Sequence, residues 1–303
     1  MTPAPRIDAD LVRRLIAAQF PQWSDLPIAP VPTQGMDNAT YRLGRHLSAR
    51  LPRFERWVGQ VEREHRWLPR LAPHLPLAIS TPLAQGEPGE GYPFPWSVYR
   101  WLDGQPLDLE RLPDPLRAAA DLAEFIAALH AIDATDGPRP QWSNSYRGVH
   151  IAADVDSVAS KQRVLPKLAA LRDLTDTDAL GAVWEAALAA PAWDRPAVWV
   201  HGDLAQGNLL STDGRLSAVI DFGTLSIGDP ACDINNAWMF RDPAARDVVR
   251  RELNVDDATW ARARGWALAA SLPVPDDPYF ARRPDRTRRA LRVLDDLVAD
   301  LRR

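Results

Sequence analysis

The chain of 303 residues contains a single cysteine, Cys232, which excludes an internal disulfide framework. With only six scattered His beside it, a Cys/His zinc site is not expected either. Lysine is nearly missing too. Lys161 and Lys167 are the only two, against abundant Arg, Ala and Pro, a pattern of base-composition bias. No apolar run approaches the ~20 residues that span a bilayer, and the first residues, MTPAPRIDAD, lack the apolar centre of an export signal. The expectation is a cytoplasmic protein without a membrane partner. A basic stripe is also lacking. Residues 1–104 carry 12 Arg against 10 acidic residues, whereas residues 105–303 carry 24 basic against 30 acidic ones. That distribution excludes a nucleic-acid partner and leaves room for a cationic substrate in the second segment.

What is present is ordinary for a globular protein: 46% hydrophobic and 25% charged residues, without repeats, in a chain long enough for one large domain or two smaller ones. Residues 8–21 have helical spacing through Leu11, Leu15 and Ile16, with Asp8 or Asp10 as cap. Short β-like pieces follow at 28–33, 39–44 and 46–52. In the last, Leu47, Ala49 and Leu51 share one face by period two, and Ser48 and Arg50 share the other. Residues 58–72 read as a helix whose stripe Val61, Glu64, His65, Leu68 places Glu64 at the inward edge. Two strands around a Gly/Pro turn are expected over 80–102, and a helix over 114–133 ending near His130, read as a satisfied core residue. Further helices fall within 150–190 and 233–303, a buried strand begins at 197, and 208–223 reads as a hairpin turning at Asp213-Gly214. A β-rich first third before a helical remainder predicts an α+β protein in two lobes, 1–104 and 105–303, hinged near 102–106.

The stretch HGDLAQGNLL, 201–210, holds an Asp and an Asn five positions apart between apolar flanks, and Asp221 follows in IDFG. Phosphoryl transfer needs a carboxylate to orient an acceptor hydroxyl and accept its proton, together with oxygen ligands for Mg²⁺. Asp203 suits the first role. Asn208 and Asp221, at the two ends of one hairpin, suit the second. An isolated Asp in a loop is usually a turn former, but the spacing of these three favours chemistry. His201 is read as bracing the loop, and Asp229 and Asp233 in GDPACD as a helix cap and a tie to the catalytic loop.

HGDLAQGNLL, IDFGTLSIGDPACD (220–233) and LAEFIAALHAID (122–133) together resemble the aminoglycoside phosphotransferase family, a branch of the protein-kinase-like superfamily. The resemblance spans about residues 25–270 and implies a kinase-like fold, with a small β-rich N-lobe binding nucleotide and a larger, mainly helical C-lobe carrying catalytic and acceptor sites. It implies transfer of the γ-phosphoryl of ATP or GTP to a hydroxyl of an aminoglycoside or similar aminocyclitol or sugar. Arg50 stands where the family pattern has Lys, with Glu64 as its helix partner; the alternative is that both are surface charges that never meet. TQGMDNATYRLG (33–44) takes the phosphate-loop position with Gly35 and Asn38 in its turn, though a plain hairpin turn fits it as well. The base is expected against the backbone of Arg100 and Leu102. Trp142, Tyr146, Asp276, Asp277 and Tyr279 are acceptor-site candidates or ordinary loop residues. Two other functions compete: a metabolic kinase of the same fold for choline-, homoserine- or sugar-type acceptors, and a nucleotide-binding pseudokinase.

Overall fold

The computed structural model describes residues 5–32, 34–157, 159–273 and 284–303. Its first helix, α1 (Ala9–Gln19), starts where the Asp8 carboxylate accepts the Leu11 N–H at 2.9 Å, so Asp8 rather than Asp10 is the cap. Strands β1 (Ile28–Pro30), β2 (Asn38–Leu43) and β3 (Leu47–Pro52) form an antiparallel meander, and α2 (Gly59–Leu71) follows. After the two-residue β4 (Ala78–Ile79), strands β5 (Pro82–Gly86) and β6 (Trp96–Arg100) complete an antiparallel sheet of order β1-β2-β3-β6-β5. The small core lies between this sheet and α1. Leu11, Val12, Leu15 and Ile16 of the helix meet Ala49, Leu51, Trp96 and Val98 of the strands. Alternation along β3 sends Ala49 and Leu51 into that core and turns Arg50 to the opposite face.

β7 (Gln105–Pro106) links to the larger lobe, which contains α3 (Pro115–Ala131), α4 (Lys161–Ala170), α5 (Thr177–Ala189), β8 (Val198–Val200), β9 (Leu209–Thr212), β10 (Arg215–Val219) and β11 (Ser226–Gly228), followed by α6 (Ala231–Ile234), α7 (Pro243–Glu252), α8 (Asp257–Ser271) and α9 (Pro284–Leu301). Asp213 and Gly214 both have positive φ, 52° and 78°, and make the two-residue turn between β9 and β10. A second sheet has the order β4-β10-β9-β7, with β4 parallel to β10. β4 escaped the sequence reading because two residues carry no period. Its pairing has a structural consequence: Ile79, with Trp67, Leu68 and Leu71 of α2, is buried in the larger core. The chain before the hinge therefore contributes to both cores. His130 also departs from expectation. Its Nε2 is buried without a partner among the described residues, and burial pushes the imidazole down to about 4. Among the described residues no helix is long and apolar enough to cross a membrane.

Gly86 is held by contact. A Cβ there would sit 2.1 Å from the ring of Trp96, a fully buried residue of the small core. Gly86→Ala should cost about 1–3 kcal/mol through forced displacement of that indole. A lower urea midpoint is the expected result; an unchanged midpoint would mean that the small core absorbs a methyl freely.

Candidate active site

β8 ends at Val200 and delivers His201, Gly202 and Asp203 into a loop anchored from below. The buried Asp233 carboxylate accepts the His201 N–H at 2.6 Å and the Gly202 N–H at 2.7 Å. Burial raises the Asp233 carboxyl above its ordinary range, opposed by His201 and these two amides. His201 Nδ1 accepts the Asp203 N–H at 3.1 Å, which leaves Nε2 as the protonated nitrogen, donating to the Ile220 carbonyl at 3.1 Å. With both ring nitrogens engaged on backbone, His201 is a brace. Beneath it, Arg262 binds Asp229 at 2.7 and 3.2 Å, and Asp229, one residue before the Pro230 cap, accepts the Ala231 N–H at the start of α6 at 3.0 Å.

The side chain of Asn208 folds back to donate to the carbonyl and the Oδ2 of Asp203, at 2.8 and 3.0 Å. Its own carbonyl accepts the Ile220 N–H at 2.9 Å, so Asp221 stands one residue from Asn208 across the hairpin. Asp221 adopts φ +64°, uncommon for a residue with a Cβ, as the chain leaves β10. The structure thus brings Asp203, Asn208 and Asp221 together through one short hairpin. Among the described residues no group of three or more His, Cys, Asp and Glu is placed to hold a metal; this trio has two carboxylates and one amide.

Arg50 descends from the small lobe onto this hairpin. Its Nη2 donates to Asp221 Oδ1 at 2.9 Å, and its Nη1 lies 3.5 Å from Glu64 Oε1. Burial alone would lower the guanidinium, but Glu64 and Asp221 outweigh it and push it up, so Arg50 is a fixed cation. Glu64 is almost wholly buried and also accepts a short hydrogen bond from the Tyr99 hydroxyl. Burial raises the Glu64 carboxyl, against the pull of Arg50 and Tyr99.

The loop before β2 is built from side chains more than from glycine. Gln34 pairs with the Thr40 backbone, donating at 2.7 Å and accepting at 2.9 Å. Asn38 is buried and donates to Gln60 at 3.2 Å, while Gly35 keeps its carbonyl 3.4 Å from Arg53 Nε. Asp37 in the same loop is pushed up to about 6 by burial and by the nearby Asp221. At the hinge, Arg100 pairs with Leu47, the Trp101 N–H donates to the His46 carbonyl at 2.8 Å, and Leu102 is half-buried. The loop at 139–148 lies across the catalytic loop. The Arg147 stem covers Gly202, Ser226 Oγ donates to the Arg147 carbonyl at 2.6 Å, and Trp142 is exposed. Asp276, Asp277 and Tyr279 lie outside the described residues. Sequence reading missed Gln60, Arg63 and Tyr99, which the structure packs around the site; only their positions on the inward face of α2 and on β6 hinted at them.

A sequence model of the phosphotransferase enzyme family matches residues 29–266. No curated protein matches the chain. Among solved structures, it is similar to the GDP complex of wild-type aminoglycoside 2'-phosphotransferase-IIIa, with 21% identity, a TM-score of 0.69, and 97% of this chain and 99% of that one covered. The GDP and kanamycin complex of APH(2")-IIia gives 20% identity and a TM-score of 0.67, covering 95% and 98%. The apoenzyme of a macrolide 2'-phosphotransferase from Brachybacterium faecium gives 22% and 0.60, covering 95% and 97%. At such identities the likeness is one of fold: a two-lobed, kinase-like α+β architecture.

Asp37 yields a pH test. Its carboxyl titrates higher in the folded chain, near 6, than in the unfolded one, so the native state favours its protonated form. That contribution is full below the unfolded pKa and is lost as pH rises through about 6. In urea titrations, the stability advantage of Asp37→Asn over the parent should therefore grow as pH rises from 3.8 to about 6 and stay level above that. A difference independent of pH would show that Asp37 is solvated like any surface carboxylate.

Proposed function

The chain belongs to the phosphotransferase enzyme family whose model spans residues 29–266 and is a phosphotransferase acting on a hydroxyl group; from that premise we propose a small-molecule kinase that takes the γ-phosphoryl of ATP or GTP. The observation that carries this reading is the junction of the two lobes, where Arg50 binds Asp221 while Asn208 binds Asp203 on the same hairpin. In this reading Asp203 is the catalytic base. It receives the acceptor hydroxyl, orients its oxygen toward the γ-phosphorus and takes its proton as the new P–O bond forms and the bond from that phosphorus to the bridging oxygen breaks, releasing the nucleoside diphosphate. The bond from Asn208 keeps that carboxylate in place, and His201 below it fixes the loop.

The donor set fits Mg²⁺, which prefers hard oxygen ligands and retains waters and phosphate oxygens. Asn208 uses its amide N–H groups on Asp203, and Asp221 uses Oδ1 on Arg50; among the described residues no hydrogen bond engages Asn208 Oδ1 or Asp221 Oδ2. Those two atoms would hold the ion. When bound, Mg²⁺ neutralises the triphosphate and offsets charge on the transferring group. Arg50, kept in register by Glu64, contacts the α/β-phosphates, the Gln34–Asn38 loop with Gly35 covers them, and the backbone at Arg100 and Leu102 receives the base.

The acceptor is an aminoglycoside or a similar aminocyclitol or sugar, drawn by the negative balance of residues 105–303. Two solved structures of this fold are complexes with kanamycin and gentamicin. A second reading, a metabolic kinase for choline-, homoserine- or sugar-type acceptors, draws on the wall beside the catalytic loop. Residues 141–147 contribute Trp142, Tyr146 and Arg147 there and no carboxylate. A pseudokinase is disfavoured because Asp203, Asn208 and Asp221 are all in place.

Asp203→Ala should lower transfer by about 10²–10⁴-fold while nucleoside diphosphate binding stays near the parent value. Turnover equal to the parent would remove Asp203 from the base role. A panel of aminoglycosides, choline, homoserine and neutral sugars, scored by nucleoside diphosphate release, should give its highest kcat/KM with an aminoglycoside; a neutral or monocationic acceptor at the top would select the second reading.

A further inference from the structure

Arg63 is one residue from Glu64 on α2, yet it faces the other lobe. The side chain is 6% exposed. Its Nη2 donates to the Gly223 carbonyl at 2.6 Å and to the Ser143 carbonyl at 3.0 Å, and its Nη1 to Ser143 Oγ at 3.3 Å. Burial lowers the guanidinium, with Glu64 as the opposing influence. A buried cation whose direct partners are uncharged oxygens is a costly arrangement, and its hydrogen bonds are the kind whose loss is felt most.

The three carbonyl and hydroxyl partners define what the side chain joins. Gly223 is two residues beyond Asp221. Ser143 belongs to the loop that runs to Arg147, whose stem covers Gly202 beside Asp203. Gln60, one turn earlier on α2, packs over the same Gly223 and receives Asn38 from the phosphate loop. Successive residues of a helix diverge by about 100°, so Glu64 can hold Arg50 while Arg63 holds the segment carrying Asp221.

We propose that Arg63 is a positioning residue that fixes the rotation of α2 against the larger lobe, so that Arg50 and Asp221 meet at the nucleotide phosphates. This rests on the nucleotide-site reading above. Without Arg63, α2 keeps its apolar anchors Trp67, Leu68 and Leu71 in the larger core but loses the tie at its N-terminal half. Glu64 then no longer sets Arg50 relative to Asp221, and the Ser143 loop loses its fixed point.

The test measures binding of ADP and GDP in the presence of Mg²⁺ to the full chain by calorimetry, with thermal unfolding in parallel. Arg63→Met should raise the diphosphate Kd by at least about tenfold, the loss expected for a charged hydrogen-bonded clamp. Arg63→Lys keeps the charge but lacks the second guanidinium nitrogen that reaches Ser143 Oγ while the first holds the two carbonyls, so it should recover part of the affinity and unfold close to the parent temperature. If Arg63→Met does not fold, Arg63→Lys decides: a weakened Kd at near-parent unfolding temperature supports positioning, and a Kd equal to the parent overturns it. Parent-like Kd in a folded Arg63→Met overturns it as well. A parent chain that binds neither diphosphate would instead defeat the nucleotide-site reading itself.

Discussion

One guanidinium holds a carboxylate from each lobe. Arg50 reaches Glu64 with one nitrogen and Asp221 with another, and these contacts join the small sheet, the helix beside it and the hairpin of the larger lobe. The geometry gives a reason for arginine where the family pattern has lysine. A planar fork can address two acceptors at once, whereas an ammonium is a single point of charge. The interaction is also one the fold depends on. Glu64 is nearly sealed from solvent, and removing one member of a buried ion pair leaves the other uncompensated, at a cost of about 3–5 kcal/mol. The half-exposed Asp221 has the opposite character. Its side chain is 39% exposed, within reach of a charged ligand.

Support for the catalytic loop is buried and polar, and its design is consistent from layer to layer. Asp233 takes two backbone amides, His201 bonds backbone through both ring nitrogens, and Arg262 neutralises Asp229 below. Each group would be expensive if left alone in an apolar interior, and each is paired. What remains at the surface of this stack is a single carboxylate, Asp203, whose orientation is set by Asn208. In the proposed reading, rigid support beneath the half-buried Asp203 suits phosphoryl transfer, since that catalysis is largely positioning and electrostatics.

Much of this was legible in the sequence because it is local or periodic. The α1 stripe, the alternation around Arg50, the inward edge at Glu64 and the Asp213-Gly214 turn all follow from spacings of two or of three to four residues. The meeting of Asp203, Asn208 and Asp221 was legible because a hairpin forces its ends together. Features that depend on the packing of distant segments were not. β4 pairs with β10 across about 140 positions of sequence, which no short window can register. Arg63 reads as one more charge on a helix rich in arginine, and only the approach of Gly223 and Ser143 reveals its burial. His130 was placed in the core correctly, but its missing partner is a property of neighbours that composition does not predict.

The central claim is the proposal that Asp221, held by Arg50 through Oδ1, meets the nucleotide's metal through its other carboxylate oxygen. Calorimetric titration of ADP, with and without Mg²⁺, into the parent chain and into Asp221→Asn measures this directly. Mg²⁺ should tighten ADP binding to the parent by at least about tenfold, and that gain should vanish in Asp221→Asn. An equal gain in both chains would contradict the arrangement.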